Sequence, residues 1–357
     1  MTTVLSNATP TERTHDRGEV TVVDNPECAA WEGYLDGYGA KSLYHRVAWN
    51  AVFETYRLSV IRLAATRQGR ITGVLPLVRQ RSRVFGDRLV SLPWFDAAGI
   101  LADDEPDRRS LVDAAVRRAA TLGVDVVELR QAEPIEASPH VRTDKVLMRL
   151  QLEGGPEALW DRLKAKVRNQ VRKGEKSGLE FSTGGAELLP EFFAVYSRNM
   201  RDLGSPSHAS RLFDMVLRSF PEAARLHVAR WHGRAVGAGL TIASGDTVEI
   251  PWASSLRRYN GLCINHFLYW QLLREACREG RRWFHFGRST LDSGTYQFKR
   301  QWGAEPLPLY WYHLGSTAAQ AVERPNRESF GWAEATWRRL PLWAAQRLGP
   351  HVISKVS

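Results

Sequence analysis

Sulfur is scarce in this chain, which has three cysteines and four methionines among 357 residues. Cys28, Cys263 and Cys277 have neither disulfide-framework nor metal-finger spacing, so they read as reduced, buried thiols, and no metal is expected. No stretch approaches the ~18 consecutive apolar residues of a membrane-spanning helix. A Gly-x-Ser-x-Gly elbow, a Walker loop, a His-Glu-x-x-His pair and paired cysteines are all missing, which leaves hydrolase, NTPase and zinc-enzyme readings without a motif. Met1 to Glu19 is polar and of mixed charge, without the basic-then-apolar order of a secretory leader. A disordered N-terminus at 1–19 and a cytoplasmic location follow as expectations. Acidic residues are in the minority, 39 against 49 Lys and Arg, for a formal net charge of +10. That balance favours a polyanionic partner: tRNA, a pyrophosphate-linked substrate or an anionic membrane surface.

What the chain does contain is a repeat. Gln68-Gly69-Arg70 with Gly73 returns as His232-Gly233-Arg234 with Gly237, and Leu92-Pro93-Trp94 returns as Ile250-Pro251-Trp252. Gly123 followed by Val126 to Arg130 returns as Gly280 followed by Trp283 to Arg288. The offset is 164 residues at Gly69/Gly233, 158 at Trp94/Trp252 and 157 at Gly123/Gly280, a drift that loop insertions produce between diverged copies. In each copy two short strands flank a Gly-containing turn, a third strand ends at Pro-Trp, and an amphipathic helix leads into a last strand. In the second copy the helix spans about Ile264 to Arg278, with Gly280 as its stop. The order predicts an α/β (α+β) chain of two mixed sheets, each covered by helices. The expected division is 20–150, 151–315 with inserted helices, and an amphipathic helical extension at 316–357, broken at Pro341.

Several clusters could carry chemistry. Arg288, Ser289 and Thr290 leave a strand through Gly287, and Tyr296 and Lys299 follow, an array of donors and cations suited to an anion or a carbonyl oxygen. Arg258-Tyr259-Asn260-Gly261 stands immediately before a helix, where backbone amides bind phosphate. Its pattern approximates the pyrophosphate loop of GNAT acyltransferases, with Cys263 at the final small-residue position. Lys164, Arg168, Arg172 and Lys176 form a basic stripe beside an apolar one on a helix closed by Gly178; a phosphate track and a solvated face are both open readings. Asp202 and Glu249 are candidate bases, each with a plain structural alternative as turn-former or strand residue.

Val167 to Gly178, Asn199 to Pro206, Pro251-Trp252-Ala253-Ser254-Ser255 and Gly287 to Glu305 together resemble the FemAB-like branch of the GNAT superfamily. The resemblance extends from about Val20 to Pro350, includes Trp337 to Leu342, and is closest to the exosortase/PEP-CTERM-associated members. It implies two tandem GNAT-like domains and transfer of an acyl or aminoacyl group to an amine of a cell-surface polymer precursor, peptidoglycan or exopolysaccharide, in the cell envelope pathway. In Fem transferases the donor is an aminoacyl-tRNA. This chain lacks their long charged insertion between the halves, which leaves acyl-CoA and aminoacyl-tRNA as alternative co-substrates and no tightly bound cofactor. The chemistry needs deprotonation, alignment and an oxyanion donor. The expected catalytic group is Arg288, Ser289, Tyr296, Lys299, Asp202 and Glu249; the donor loop is Arg258, Asn260 and Gly261; and the substrate contacts are Trp252, Ser254, Trp94, Asp96, Arg168 and Arg172. The second copy is basic where the first has Asp103-Asp104-Glu105-Pro106, so the donor is expected on the second half. A competing reading makes the chain a non-catalytic scaffold for an anionic lipid-linked carrier. In that reading the Trp-rich tail holds the protein at the inner face of the membrane. The oligomeric state is left open.

Overall fold

The computed structural model describes residues 19–82, 86–323 and 331–355; nearly all of the expected disordered N-terminus lies outside these residues. The strands are β1 (Thr21–Asp24), β2 (Val60–Arg67), β3 (Arg70–Ser82), β4 (Gly86–Val90), β5 (Leu101–Ala102), β6 (Val126–Gln131), β7 (Val141–Arg142) and β8 (Lys145–Gln151), then β9 (Leu179–Gly184), β10 (Ala224–Trp231), β11 (Arg234–Ser244), β12 (Thr247–Ser255), β13 (Trp283–Thr290), β14 (Glu305–Pro308) and β15 (Tyr310–Leu314). The helices are α1 (Cys28–Leu35), α2 (Trp49–Glu54), α3 (Glu105–Thr121), α4 (Gly155–Arg162), α5 (Ala165–Lys176) and α6 (Leu189–Leu203), then α7 (Ser210–Ser219), α8 (Ile264–Arg278), α9 (Gly294–Arg300), α10 (Ala318–Glu323), α11 (Gly331–Arg339) and α12 (Leu342–Ile353).

The repeat is real at the level of backbone conformation. Gln68-Gly69 (φ 47° and 77°) and His232-Gly233 (φ 48° and 70°) turn the β2–β3 and β10–β11 hairpins with both central residues left-handed, as a type I′ turn requires. Both hairpins carry a register shift three residues before the turn, after Ala65 and after Ala229. Each copy then forms one short parallel pair: β4 with β6 over Arg88–Val90, and β12 with β13 over Thr247–Glu249. The covering helices α3 and α8 are followed by Gly123 (φ 65°) and Gly280 (φ 72°), the left-handed caps expected after them. α8 buries Phe267, Leu268, Trp270, Gln271, Leu272 and Ala276, the face its periodicity predicts.

Two mixed sheets result, ordered β1-β2-β3-β4-β6-β15-β7, with β5 on β3, and β14-β8-β13-β12-β11-β10-β9. The halves exchange strands. β8 (Lys145–Gln151), nearly all of it before the expected boundary at 150/151, lies in the second sheet between β13 and β14, while the last strand, β15, returns to the first sheet between β6 and β7. One hydrophobic core also crosses between them, joining Trp49, Phe53 and Phe95 to Phe192, Phe213, Leu226 and Leu240. Exchanged strands and a shared core bind the copies into one body, because separating them would expose that apolar surface.

Some local expectations differ from what is observed. The third strand ends at Pro-Trp in neither copy. β4 stops at Val90, and Leu92 (φ 51°) and Trp94 (φ 75°) turn the chain out of the sheet. β12 instead runs through Pro251 to Ser255, because the register shift opposite Leu240 and Ile242 leaves Pro251 outside the ladder, where its missing N–H costs nothing. The basic stripe stays together on α5 with Lys164 as its N-cap, while the chain breaks just before it, where Leu163 (ψ 141°) and Lys164 (ψ 143°) are extended and separate α4 from α5. All three cysteines are free, but Cys28 is exposed; only Cys263 and Cys277 are buried.

Candidate functional site

The residues after β4 cross from the first half to the second. Arg130 on β6 anchors this loop: its backbone N–H donates to Ser91 Oγ (2.8 Å) and its Nη1 to the Phe95 carbonyl (2.8 Å). The Arg130 guanidinium is fully buried and pairs with Glu128 at 2.7 Å. Burial alone would raise the Glu128 carboxyl, but Arg130, Arg88 and His313 outweigh it and hold it at about 2. The loop delivers Asp96 to β13, where Oδ2 accepts the Arg288 backbone N–H at 2.8 Å and Oδ1 lies 3.3 Å from Arg288 Nη1. Trp311 on β15 donates its indole N–H to the Asp96 carbonyl at 3.2 Å and stacks under both Arg130 (4.2 Å) and Arg288 (5.0 Å).

β13 bends at Gly287 (φ 71°), where its register against β8 shifts. Lys299 on α9 ties down that bend by donating Nζ to the carbonyls of Gly287 (2.9 Å) and Arg288 (2.7 Å). Burial pushes this lysine down to about 8; Arg288 adds to the shift, and Asp96 and Glu249 oppose it.

Beside this cluster is a cavity of about 200 Å³ whose walls include Tyr44, His45, Asp96, Gln131, Glu249 and His285, from both halves. Glu249 and His285 are partners in the parallel pair, with Glu249 Oε2 at 3.8 Å from His285 Nδ1. Three buried polar atoms on the walls lack protein partners: Tyr44 OH, His45 Nδ1 and Gln131 Nε2. Burial, then the nearby Glu249 and Asp96 carboxylates, raises the Tyr44 phenol well above its usual range. His45 Nε2 lies 2.7 Å from the Gly99 carbonyl, and burial lowers this imidazole to about 4. A neutral ring that donates from Nε2 leaves Nδ1 as an acceptor. The cavity thus offers donors, an acceptor and a carboxylate, at a place where a small polar ligand would replace the missing partners.

Of the residues singled out from sequence, Asp96, Glu249, Arg288 and Lys299 come together here. Ser289 is next to them in the chain, buried, with Oγ unpartnered. Tyr296 packs in the second core, and its hydroxyl accepts from Arg300 Nη1 at 3.3 Å. Trp252 and Trp94 belong to the shared core. Trp252 stands edge-on to Phe213 (5.2 Å), and Trp94 stacks on Phe53 (5.2 Å). Ser254 Oγ accepts from Asn199 Nδ2 at 3.1 Å. Asp202 ends α6 and pairs with Arg201 at 2.7 Å. Arg168 Nη1 satisfies the carbonyls of Asp161 (3.0 Å) and Leu163 (2.9 Å) at the end of α4, and Arg172 lies over Trp160 at 5.3 Å. Arg258, Asn260 and Gly261 are exposed in a 3-10 turn, Arg257–Leu262, before α8, with Arg258 over Tyr259 at 4.7 Å. Tyr44, His45, Gln131 and Trp311 carry no local sequence signal and emerge only from the fold; Arg130 is marked in the sequence as the repeat counterpart of Arg288, but its anchoring role is not.

These features define a class. The second half carries an acetyltransferase (GNAT) domain: the model of that family matches residues 161–300. The whole chain has the fold of tandem GNAT proteins. It is similar to FemX, with TM-score 0.64 and 12% identity over 86% of this chain and 100% of that one. It is also similar to L-PGS from Bacillus licheniformis, with TM-score 0.53 and 12% identity over 92% of this chain and 100% of that one. A tandem GNAT protein from the clavulanic acid biosynthesis pathway aligns with TM-score 0.52 and 14% identity over 83% of this chain and 98% of that one. None of the curated proteins matches the chain. Among the described residues no helix is long and apolar enough to cross a membrane, and no group of three or more His, Cys, Asp or Glu could hold a metal.

Proposed function

We propose that the chain is a FemAB-type N-acyltransferase whose acceptor amine enters the junction cavity and whose donor lies on the second half. The observation that carries this reading is Glu249: a carboxylate on the cavity wall, on β12 of the matched GNAT domain, with His285 at 3.8 Å, the Tyr44 phenol nearby and no guanidinium paired to it among the described residues. The acceptor nitrogen gives its proton to Glu249 and attacks the carbonyl carbon of the donor. The C–N bond forms as the carbon–sulfur bond of a thioester, or the carbon–oxygen bond of an aminoacyl ester, breaks, and the leaving group departs with the proton that Glu249 took from the nitrogen. Arg288, exposed over about a third of its side chain (34%), is the cation for the developing oxyanion. Tyr44 and Gln131 offer hydrogen bonds to the acceptor.

For the donor's phosphates the support is electrostatic. Arg257, Arg258, Asn260 and Gly261 are exposed at the start of α8, and α5, packed against α8, presents exposed Lys166, Arg172 and Lys173. Both acyl-CoA and aminoacyl-tRNA carry the required charge. The acceptor we propose is an amine of a cell-surface polymer precursor, peptidoglycan or exopolysaccharide, as in exosortase-associated systems. Transfer assays with each donor at two salt concentrations test the reading. A tRNA donor weakens steeply with salt because several phosphates are neutralised; acyl-CoA weakens little. If neither donor supports transfer to any amine, the reading falls.

A further inference from the structure

Six large apolar side chains are exposed among the described residues, and four of them, Leu203, Trp332, Trp343 and Leu348, lie at one end of the molecule, on or beside α11 and α12. Trp332 and Trp343 are 73% and 71% exposed. The helices themselves are firmly seated. Arg338 Nη2 donates to the Leu203 carbonyl (3.4 Å), and Gln346 Nε2 donates to Ser197 Oγ (2.9 Å). Trp94 Nε1 donates to the Ile353 carbonyl (3.0 Å), and a Cβ on Gly349 would fall 2.7 Å from the Ser207 carbonyl oxygen. Contact that close on the Ala345–Gly349 side of α12 turns its other side outward: Trp343, Arg347, Leu348 and His351, all exposed. On α11, which buries no residue, Trp332, Ala335 and Arg339 share the exposed face.

A groove of about 620 Å³ adjoins the end of α12, lined by Arg57, Arg211, His351, Tyr56 and Ser354, with Glu54 as its one acid. Arg211 lies over the Tyr56 ring at 5.7 Å. Apolar indole rings and cations therefore alternate on both helices, and a cationic groove opens beside them. Trp and Arg are enriched at protein interfaces too. A cationic groove beside them, in a chain of formal net charge +10, instead matches the boundary between acyl chains and phosphates, where indoles settle and guanidiniums reach the headgroups.

We propose that α11, α12 and the Arg57–Arg211 groove dock the protein on an anionic phospholipid bilayer, with Trp332, Trp343 and Leu348 in the interface and lipid phosphate in the groove. The full chain is tested by co-sedimentation with phosphatidylcholine vesicles with and without phosphatidylglycerol. The expected result is binding that requires phosphatidylglycerol. It should fall at least about tenfold in the Trp332→Ala/Trp343→Ala double variant, both residues being exposed and outside the core. In Arg57→Gln/Arg211→Gln the preference for phosphatidylglycerol should shrink while the circular dichroism spectrum stays unchanged. Equal binding by wild type and the tryptophan variant overturns the proposal, as does no binding to either vesicle. A wild-type dimer in sedimentation equilibrium that becomes monomeric in the tryptophan variant would overturn it too, by assigning the face to a second copy of the chain.

Discussion

Glu249 and Asp202 are the two carboxylates that local sequence offers as bases, and their surroundings separate them. Asp202 has Arg201 at 2.7 Å, whereas Glu249 faces a cavity with His285 at 3.8 Å. A carboxylate already bound to a guanidinium is a poor proton acceptor, so Glu249→Gln should lower transfer by about 10²-fold or more, the usual worth of a general base. Asp202→Asn should leave the rate within about twofold of wild type, short of the ~10²-fold a base supplies. Steady-state rates with thermal melts for both variants check this; a larger loss at Asp202 reverses the assignment. Lys299 makes a separate prediction about stability. Its folded pKa of about 8 lies below the ordinary lysine value of 10.5, so between those values the unfolded chain holds the proton that the folded chain has shed. Stability therefore rises with pH across that window, by at most about 3 kcal/mol. Denaturant unfolding from about pH 7 to pH 10 should show this rise in wild type relative to Lys299→Met, which has no proton to lose. Parallel curves would mean that the lysine titrates normally.

At the scale of elements, the repeated glycines have a packing cause. A Cβ on Gly237 would fall 2.5 Å from Ile264 Cγ2, on the first residue of α8, and one on Gly73 would fall 3.0 Å from Leu111 Cδ1 of α3. Each glycine lets the covering helix approach its hairpin. Gly237→Ala should cost about 1–3 kcal/mol, since a branched Ile264 at a helix start cannot swing away. Gly73→Ala should cost less, because its closest neighbour is the end of Leu111, which can yield, and the stiffer Ala102 Cβ stands at 3.1 Å, short of a hard clash. Thermal denaturation of the two variants gives the order, and equal losses would refute the argument. These positions show why much of the fold was legible: hairpin turns, helix stops and the face of α8 are set by residues within a few positions of one another. The exchange of β8 and β15 was not, because any strand with an apolar face can pair with either sheet edge. Nor was the site. Arg288 and Glu249 drew attention by type and position, but the bond from Arg288 to Asp96 spans 192 residues and that from Trp311 to Asp96 spans 215. Tyr44 and His45 sit in a segment with no motif, and they matter only because the loop after β4 brings Asp96 alongside them.

The whole molecule is built from two similar halves, yet they diverge where the third strand of each leaves its parallel partner. In the first, the chain leaving β4 stays on β6: Ser91 N–H donates to the Glu128 carbonyl (2.9 Å), Ala98 N–H to the Arg130 carbonyl (3.1 Å), and the buried Arg130 fills the space between. In the second, β12 continues along β11 to Ser255 while β13, paired with β8 on both sides of Gly287, bends there, so β12 and β13 part after Glu249 and His285. The helix that follows repeats the contrast in charge. Asp104 and Asp107 at the start of α3 are engaged by Arg67 at 2.7 and 3.1 Å, whereas Arg257 and Arg258 stand exposed before α8. An anion is repelled at the first site and attracted at the second. One donor per chain should therefore bind, and Arg258→Ala should weaken it by about tenfold, the worth of one charge-assisted hydrogen bond. Asp103→Ala should leave the affinity unchanged. Calorimetric titration with whichever donor supports transfer measures both quantities. Two equivalents of donor per chain, or a loss of affinity confined to the Asp103 variant, would move the donor to the first half and leave Glu249 without an acyl group to serve.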